Sequence, residues 1–482
     1  EEEMLDNQKQ KVKWHDPFPK PSYLFAFVGG DFDVARDQFT TMSGRDVALE
    51  VYVDKGDLDK SQLALDTLAA TLKYEEERWN REYGLDRFMV AVSNEFNMGA
   101  MENTGLNIYN PSAVLANSQM ATDAEIERKE GVLAHETFHY HSGNRITLNH
   151  WSQLTLKEGL TVYRDQEFTS DHHYRPLVRM DNVAILRAGQ FADDAGPDAQ
   201  PIRPAEFTSV ENLYNSTIYE KGAEVIRMIH TLLGRETFDK ALTEYFERFD
   251  GQAVSTADFV AMMAEVGNTD LSQFERTWYD QAGTPRLQFT DAYDASAQTY
   301  RLTVKQILPD TPDQKGTDKE AHHIPVRIGL LDGQGNDMKL TLAHGTLLHG
   351  DVLEVTQKEQ VFEFLNVAEK PLPSLLRGFS APVISEYPYT SEQLAFLMTE
   401  DADEFNRWDA GQRFAIHVLG ELVRAHEAGK PLQVDARLIE AYRTVLADDS
   451  VHKGVRAAVL GLPSFSYLEQ ILYPNGNVDI DA

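Results

Sequence analysis

Apolar and polar positions along the chain follow two different periods, and the places where the period changes mark its organisation. Asp46–Val53 alternates like a strand, and 88–92 reads as a second one. Between them, Leu63, Leu65, Leu68, Leu72 and Trp79 form a helical stripe over 61–83, with Ser61 as the expected N-cap and Gly84 as the expected stop. Upstream, Pro17, Pro19 and Pro21 lead into the apolar run 23–30, which is predicted to enter a buried strand. Helices are predicted over 125–141, 154–168 and 182–190, and over 220–233 with its end at Gly234. The segment 193–204, with Pro197, Pro201 and Pro204, is predicted to be a loop.

After Gly283-Thr284-Pro285 the helical period gives way to alternation. Short strands are expected at 287–290, 300–304, 324–331, 338–342, 352–355 and 361–365, broken by turn chemistry such as Asp332-Gly333-Gln334-Gly335. This pattern predicts a β-sandwich of roughly 100 residues. Beyond Pro382 the pattern is helical again, at 391–398, 401–427, 434–447 and 451–460. At 482 residues the chain is too long for one hydrophobic core, so a multi-domain α+β architecture is expected.

The helix predicted at 125–141 carries His135-Glu136-Thr137-Phe138-His139. Residues four apart share a helix face, so His135 and His139 can offer two imidazoles to one metal ion, with Glu136 one step round beside a water on that ion. This is the HExxH pattern of zinc hydrolases. A catalytic zinc site takes three protein ligands, and Glu158, nineteen residues beyond His139, has the spacing to supply the third from the next helix. Asp165 on that helix is read as an ordinary salt-bridge residue or as an orienter of Glu158. His322, His323, His344 and His349 show no ligand spacing and are expected at the surface.

Composition narrows the field. With no cysteine, disulfides, thiolate nucleophiles and Cys-ligated zinc are excluded, leaving imidazole and carboxylate as strong ligands. A formal charge of -32 argues against nucleic acid as a partner; it reads either as a field favouring cationic groups such as a peptide's free amine or as a generally acidic surface suited to a salty or crowded environment. There is no run of eighteen apolar residues, and Glu1-Glu2-Glu3-Met4-Leu5-Asp6 is no signal peptide, so no membrane partner and a cytoplasmic location are expected.

Upstream of the histidines stands Met98-Gly99-Ala100-Met101-Glu102-Asn103. Gly-Ala-Met-Glu-Asn followed by HExxH and a later glutamate resembles the gluzincin zinc aminopeptidases, closest to their bacterial, alanyl-type branch. Lys157-Glu158-Gly159 and Tyr219-Glu220-Lys221-Gly222 extend the likeness. The resemblance implies a thermolysin-like catalytic domain at 32–283, preceded at 1–31 by the remnant of an N-terminal β-domain. It also implies a β-sandwich at 284–384 and the truncated start of an all-α helical-repeat domain at 385–482. It further implies one Zn2+ per chain on His135, His139 and Glu158, with Glu136 as general base and Tyr219 as the transition-state phenol. Nothing local to Tyr219 sets it apart from the other tyrosines. By the same resemblance Glu102 binds the substrate α-ammonium, Gly99 and Ala100 pair with the peptide backbone, and Met98 lines the pocket for the first side chain. The substrates are peptides with a free N-terminal amine, Ala or basic first residues being preferred, and a monomer is expected. Two rivals remain on the sequence alone: a zinc endopeptidase or epoxide hydrolase on the same site, and a non-catalytic peptide-binding fragment.

Overall fold

The computed structural model describes residues 2–5, 9–117 and 119–473; Glu1, Asp6 and the segment 474–482 of the expected helical domain lie outside the described residues. Two compact units emerge. The first comprises 1–149 with 242–255, and the second 150–241 with 256–482.

The first unit is built on a five-stranded sheet in the order Asp33–Thr40, Asp46–Val53, Arg87–Val92, Leu106–Tyr109, Ala100–Met101. Its two central pairings are parallel and its two outer ones antiparallel. Val47, Leu49, Val51 and Val53 turn into a core with Leu65, Leu68 and Leu72 of the helix Gln62–Trp79 and Leu133 of the helix Asp123–Phe138. The expected strand and helix at 46–79 are therefore present, with altered ends. Ser61 makes no side-chain cap, and Asn80, in the left-handed region at φ 52°, ends the helix ahead of Gly84. The run 23–30 is not a buried strand. Ser22–Leu24 forms one 3-10 turn, and Phe25 and Phe27 are 78% and 85% exposed. Leu24 alone in that turn is buried, and the Leu24 carbonyl accepts from Thr104 N at 3.1 Å, so this stretch props the loop that bears Glu102.

In the second unit the helices Thr155–His172, Arg175–Ala188 and Gly222–Leu233 lead to Thr256–Gly267 and Ser272–Asp280. Two sheets follow. One is four-stranded, in the order Glu359–Phe364, Thr299–Ile307, Arg286–Asp294, Ile384–Glu386; the other is three-stranded, with Ile324–Leu331 between Val352–Val355 and Leu372–Leu375. The predicted strand at 338–342 is absent, replaced by isolated bridges at Leu331–Asp337 and Leu342–Phe364. Helices Ser391–Glu400, Glu404–Glu427, Ala436–Ala447, Lys453–Leu460 and Phe465–Leu472 are the last elements among the described residues. His322 and His323, expected at the surface, are buried at 1% and 5% exposure. The Trp278 indole packs edge-on to His322, and its N–H donates to the His323 carbonyl at 2.9 Å.

Candidate active site

The helix Asp123–Phe138 begins with a capping box in which Thr122 accepts from Glu125 N while the Glu125 carboxylate accepts from Thr122 N. Asp123 and Glu125 complement the dipole at that end. At the other end His139 keeps right-handed helical dihedrals, and its N–H donates to the His135 carbonyl at 3.1 Å. The chain then folds back through bonds from Asn144 N to the His139 carbonyl and from Ile146 N to the His141 carbonyl. That reversal brings the Ser142 carbonyl 2.8 Å from His139 Nδ1. A carbonyl only accepts, so Nδ1 carries the proton and Nε2 presents its lone pair.

His135 Nε2 and His139 Nε2 are 3.0 Å apart. Two nitrogens held about 2.0–2.1 Å from a tetrahedral zinc would be about 3.3 Å apart, so the donor pair fits the ion closely. Among the described residues of the first unit, Glu102, Glu136 and His139 are drawn together, with ligand atoms within 4.8 Å of one another. The facing imidazoles of His135 and His139 are donors of the kind zinc takes.

Glu102, Glu136, His139 and Glu158 are all buried. The Glu102 backbone is fixed by Asn144, whose amide donates to the Glu102 carbonyl at 2.8 Å. Tyr109, wholly buried on the strand that pairs with Ala100, has its phenol pushed well above the ordinary range by burial and then by the Glu136 charge. It therefore stays protonated beside that carboxylate. Ala100 and Met101 form the edge strand of the sheet, while Met98 and Gly99 sit in the exposed loop before it. A Cβ on Gly99 would meet nothing within 4 Å, so crowding does not require glycine there.

Glu158 lies in the first turn of Thr155–His172, and its carboxylate accepts from the ammonium of Lys157, itself 2% exposed. Tyr219 is half-buried in a π-helical turn, Thr217–Lys221, that precedes the helix Gly222–Leu233. The sequence reading begins this helix at 220 and so missed the π turn, which no local pattern in 217–221 marks. It missed Tyr109 and gave no role to Asn144 or Lys157, whose placement depends on contacts distant in sequence or on burial. Elsewhere in the second unit, a cavity of about 710 Å³ is walled by arginines including Arg175, Arg179, Arg227 and Arg377. Each of these four is paired with carboxylates, so the wall is an ion-pair network and not bare positive charge.

Comparison with known proteins accords with this geometry. Residues 63–278 match the Peptidase family M1 domain, 283–388 a domain of unknown function with an Ig-like fold (DUF3458), and 391–482 its ARM-repeat companion. The chain thus carries a peptidase family M1 catalytic domain followed by an Ig-like domain and ARM-type helical repeats. Along nearly its whole length it is similar to bacterial aminopeptidase N. It is 48% identical to that of Escherichia coli K12 over 97% of this chain and 53% of the relative, and 45% identical to that of Caulobacter vibrioides over 95% and 52%. The crystal structure of Legionella pneumophila aminopeptidase A in complex with aspartic acid superimposes with a TM-score of 0.85 at 32% identity, covering 98% of this chain and 51% of that one. The chain thus spans about half the length of the relatives it matches. Among the described residues no helix is long and apolar enough to cross a membrane.

Proposed function

We propose that this chain carries the catalytic machinery of a zinc-dependent aminopeptidase that removes single residues from peptide N-termini, with a catalytic domain spanning 32–283. The observation that carries the reading is the pair of facing imidazoles of His135 and His139, 3.0 Å apart, with two buried carboxylates, Glu102 and Glu136, beside His139; Glu158 is proposed as the third ligand from its spacing in the sequence. His135 and His139 would hold zinc through Nε2, and Glu158 through its carboxylate. When bound, the ion supplies Lewis acidity for a peptide carbonyl and lowers the pKa of a water.

The chain's own residues do the rest. Glu136 takes a proton from the attacking water and delivers it to the leaving amine. Tyr219 donates its phenol hydrogen to the oxyanion. Glu102 receives the substrate α-ammonium in a charge-assisted bond, which sets the first residue of the peptide in register with the base. Ala100, on the sheet edge, is suited to pair with extended peptide backbone, and Met98 and Gly99 border the same approach.

An exopeptidase of this kind requires a free amine. Hydrolysis of alanine p-nitroanilide and of its N-acetyl derivative separates it from an endopeptidase. The expected result is turnover of the free amine alone, abolished in Glu136→Ala with zinc still bound; equal turnover of the acetylated compound contradicts the reading.

A further inference from the structure

The residues assigned above as metal ligand and oxyanion donor, Glu158 and Tyr219, stand on two segments that meet backbone to backbone. Gly159, directly after Glu158, faces Gly222, directly after the π turn that holds Tyr219. A Cβ built on Gly159 would lie 2.9 Å from the Gly222 carbonyl carbon and 3.0 Å from its Cα. A Cβ on Gly222 would overlap the Thr155 hydroxyl and come within 3.2 Å of Gly159 Cα. Packed helices ordinarily stand about 8–10 Å apart with side chains between them. Here glycines remove that cushion, and an added methyl meets both the Thr155 hydroxyl and the facing main chain.

A hydrogen bond crosses the same contact. Thr155 Oγ1, one turn before Gly159, donates to the Ile218 carbonyl at 2.8 Å. Ile218 adjoins Tyr219, and in the π turn the Gly222 N–H reaches back to the Thr217 carbonyl. The turn is also held by Lys221, 1% exposed, whose ammonium lies 2.6 Å from Asp194 Oδ2 and 3.2 Å from the Gly283 carbonyl. Thr284 Oγ1 donates to the same Asp194 oxygen at 2.9 Å. The π turn is therefore clamped at Thr155 and at Asp194, and the side chain nearest the glycine contact, Thr155, is itself tied to the Ile218 carbonyl.

We infer that Thr155, Gly159 and Gly222 are positioning residues that set the spacing between the Glu158 carboxylate and the Tyr219 phenol. The inference rests on the roles proposed above for those two groups. Neither glycine has a side chain to touch substrate, so their effect is exerted through Glu158 and Tyr219.

The test uses the zinc-loaded chain and four variants: Gly222→Ala, Thr155→Ala/Gly222→Ala, Tyr219→Phe and Tyr219→Phe/Gly222→Ala. Zinc affinity is read by chelator competition, fold by circular dichroism, and kcat and KM with alanine p-nitroanilide. Gly222→Ala is expected to stay folded, to bind zinc about 10-fold or more weakly, and to lose about 100-fold in kcat with KM within about threefold. Removing the Thr155 hydroxyl in the double variant frees the space the new methyl needs, so about 10-fold or more of kcat and most of the zinc affinity return. In the Tyr219→Phe background Gly222→Ala costs less than about threefold in kcat, because the group it misplaces has already lost its hydroxyl. A folded Gly222→Ala chain with unchanged zinc affinity and kcat overturns the inference, as does an equal cost with and without the Tyr219 hydroxyl. Should Gly222→Ala fail to fold, Thr155→Val removes only the bond to Ile218; a kcat about 10-fold lower supports the inference and an unchanged one overturns it. Failure of the functional reading itself is distinct: the unsubstituted chain would bind no zinc, or Tyr219→Phe alone would retain full kcat.

Discussion

His139 Nε2 faces His135 Nε2 across 3.0 Å, while His139 Nδ1 is engaged by the Ser142 carbonyl at 2.8 Å. The carbonyl sets the tautomer, and the remaining lone pair points to where a cation would bridge the rings. Two imidazole nitrogens this close are better satisfied by a shared cation than by one shared proton. Removing zinc with a chelator should therefore lower the thermal midpoint, and zinc at about 100 times its dissociation constant should restore about 2.7 kcal/mol. Calorimetry on stripped and reloaded chain measures it; identical midpoints would contradict it.

Glu102 is 3% exposed and lies within 4.8 Å of Glu136 and His139 by its ligand atoms. Its expected partner is the incoming ammonium. Glu102→Ala should lower kcat/KM for a free-amine substrate by about 2–3 kcal/mol, or roughly 30- to 150-fold, mainly through KM. The preference for free over acetylated substrate should shrink with it, as steady-state kinetics on both compounds would show.

Tyr219 should reveal itself in kcat. If its phenol donates only to the oxyanion, Tyr219→Phe raises the barrier by about 2–4 kcal/mol and leaves KM nearly unchanged. A variant that loses KM and keeps kcat would make the residue a binding group.

Burial, and then the charges of Lys221 and Lys319, push the His322 imidazole from its ordinary 6.5 down to about 3. The unfolded chain takes up this proton below about pH 6.5, whereas the folded chain does not until about pH 3, so acid favours unfolding throughout that window. The slope from this residue is about 1.4 kcal/mol per pH unit, or about 2–3 kcal/mol between pH 6.5 and 4.5. Thermal unfolding of His322→Leu should show a correspondingly flatter pH dependence than the unsubstituted chain; parallel curves would contradict it.

Local periodicity made the helices and most strands legible. His135 and His139, at i and i+4, face each other as their spacing predicts, because a helix converts spacing into geometry. What escaped depends on distant contacts. His322 and His323 sit among charged neighbours in sequence, yet Trp278 packs against the one and hydrogen-bonds the backbone of the other. The apolar run 23–30 looks like a strand by composition, but no strand of the sheet pairs with it. Tyr219 had no local mark at all. Its setting comes from a π turn and a glycine contact that unite residues more than sixty apart.

Zinc stoichiometry in the unsubstituted chain and in Glu158→Gln bears most directly on the metal site. Dialysis against micromolar zinc followed by elemental analysis should find one ion per chain, with affinity reduced about 10-fold or more when the carboxylate becomes an amide. Zinc bound equally well by both, or by neither, would contradict the assignment of His135, His139 and Glu158 as a single ligand set.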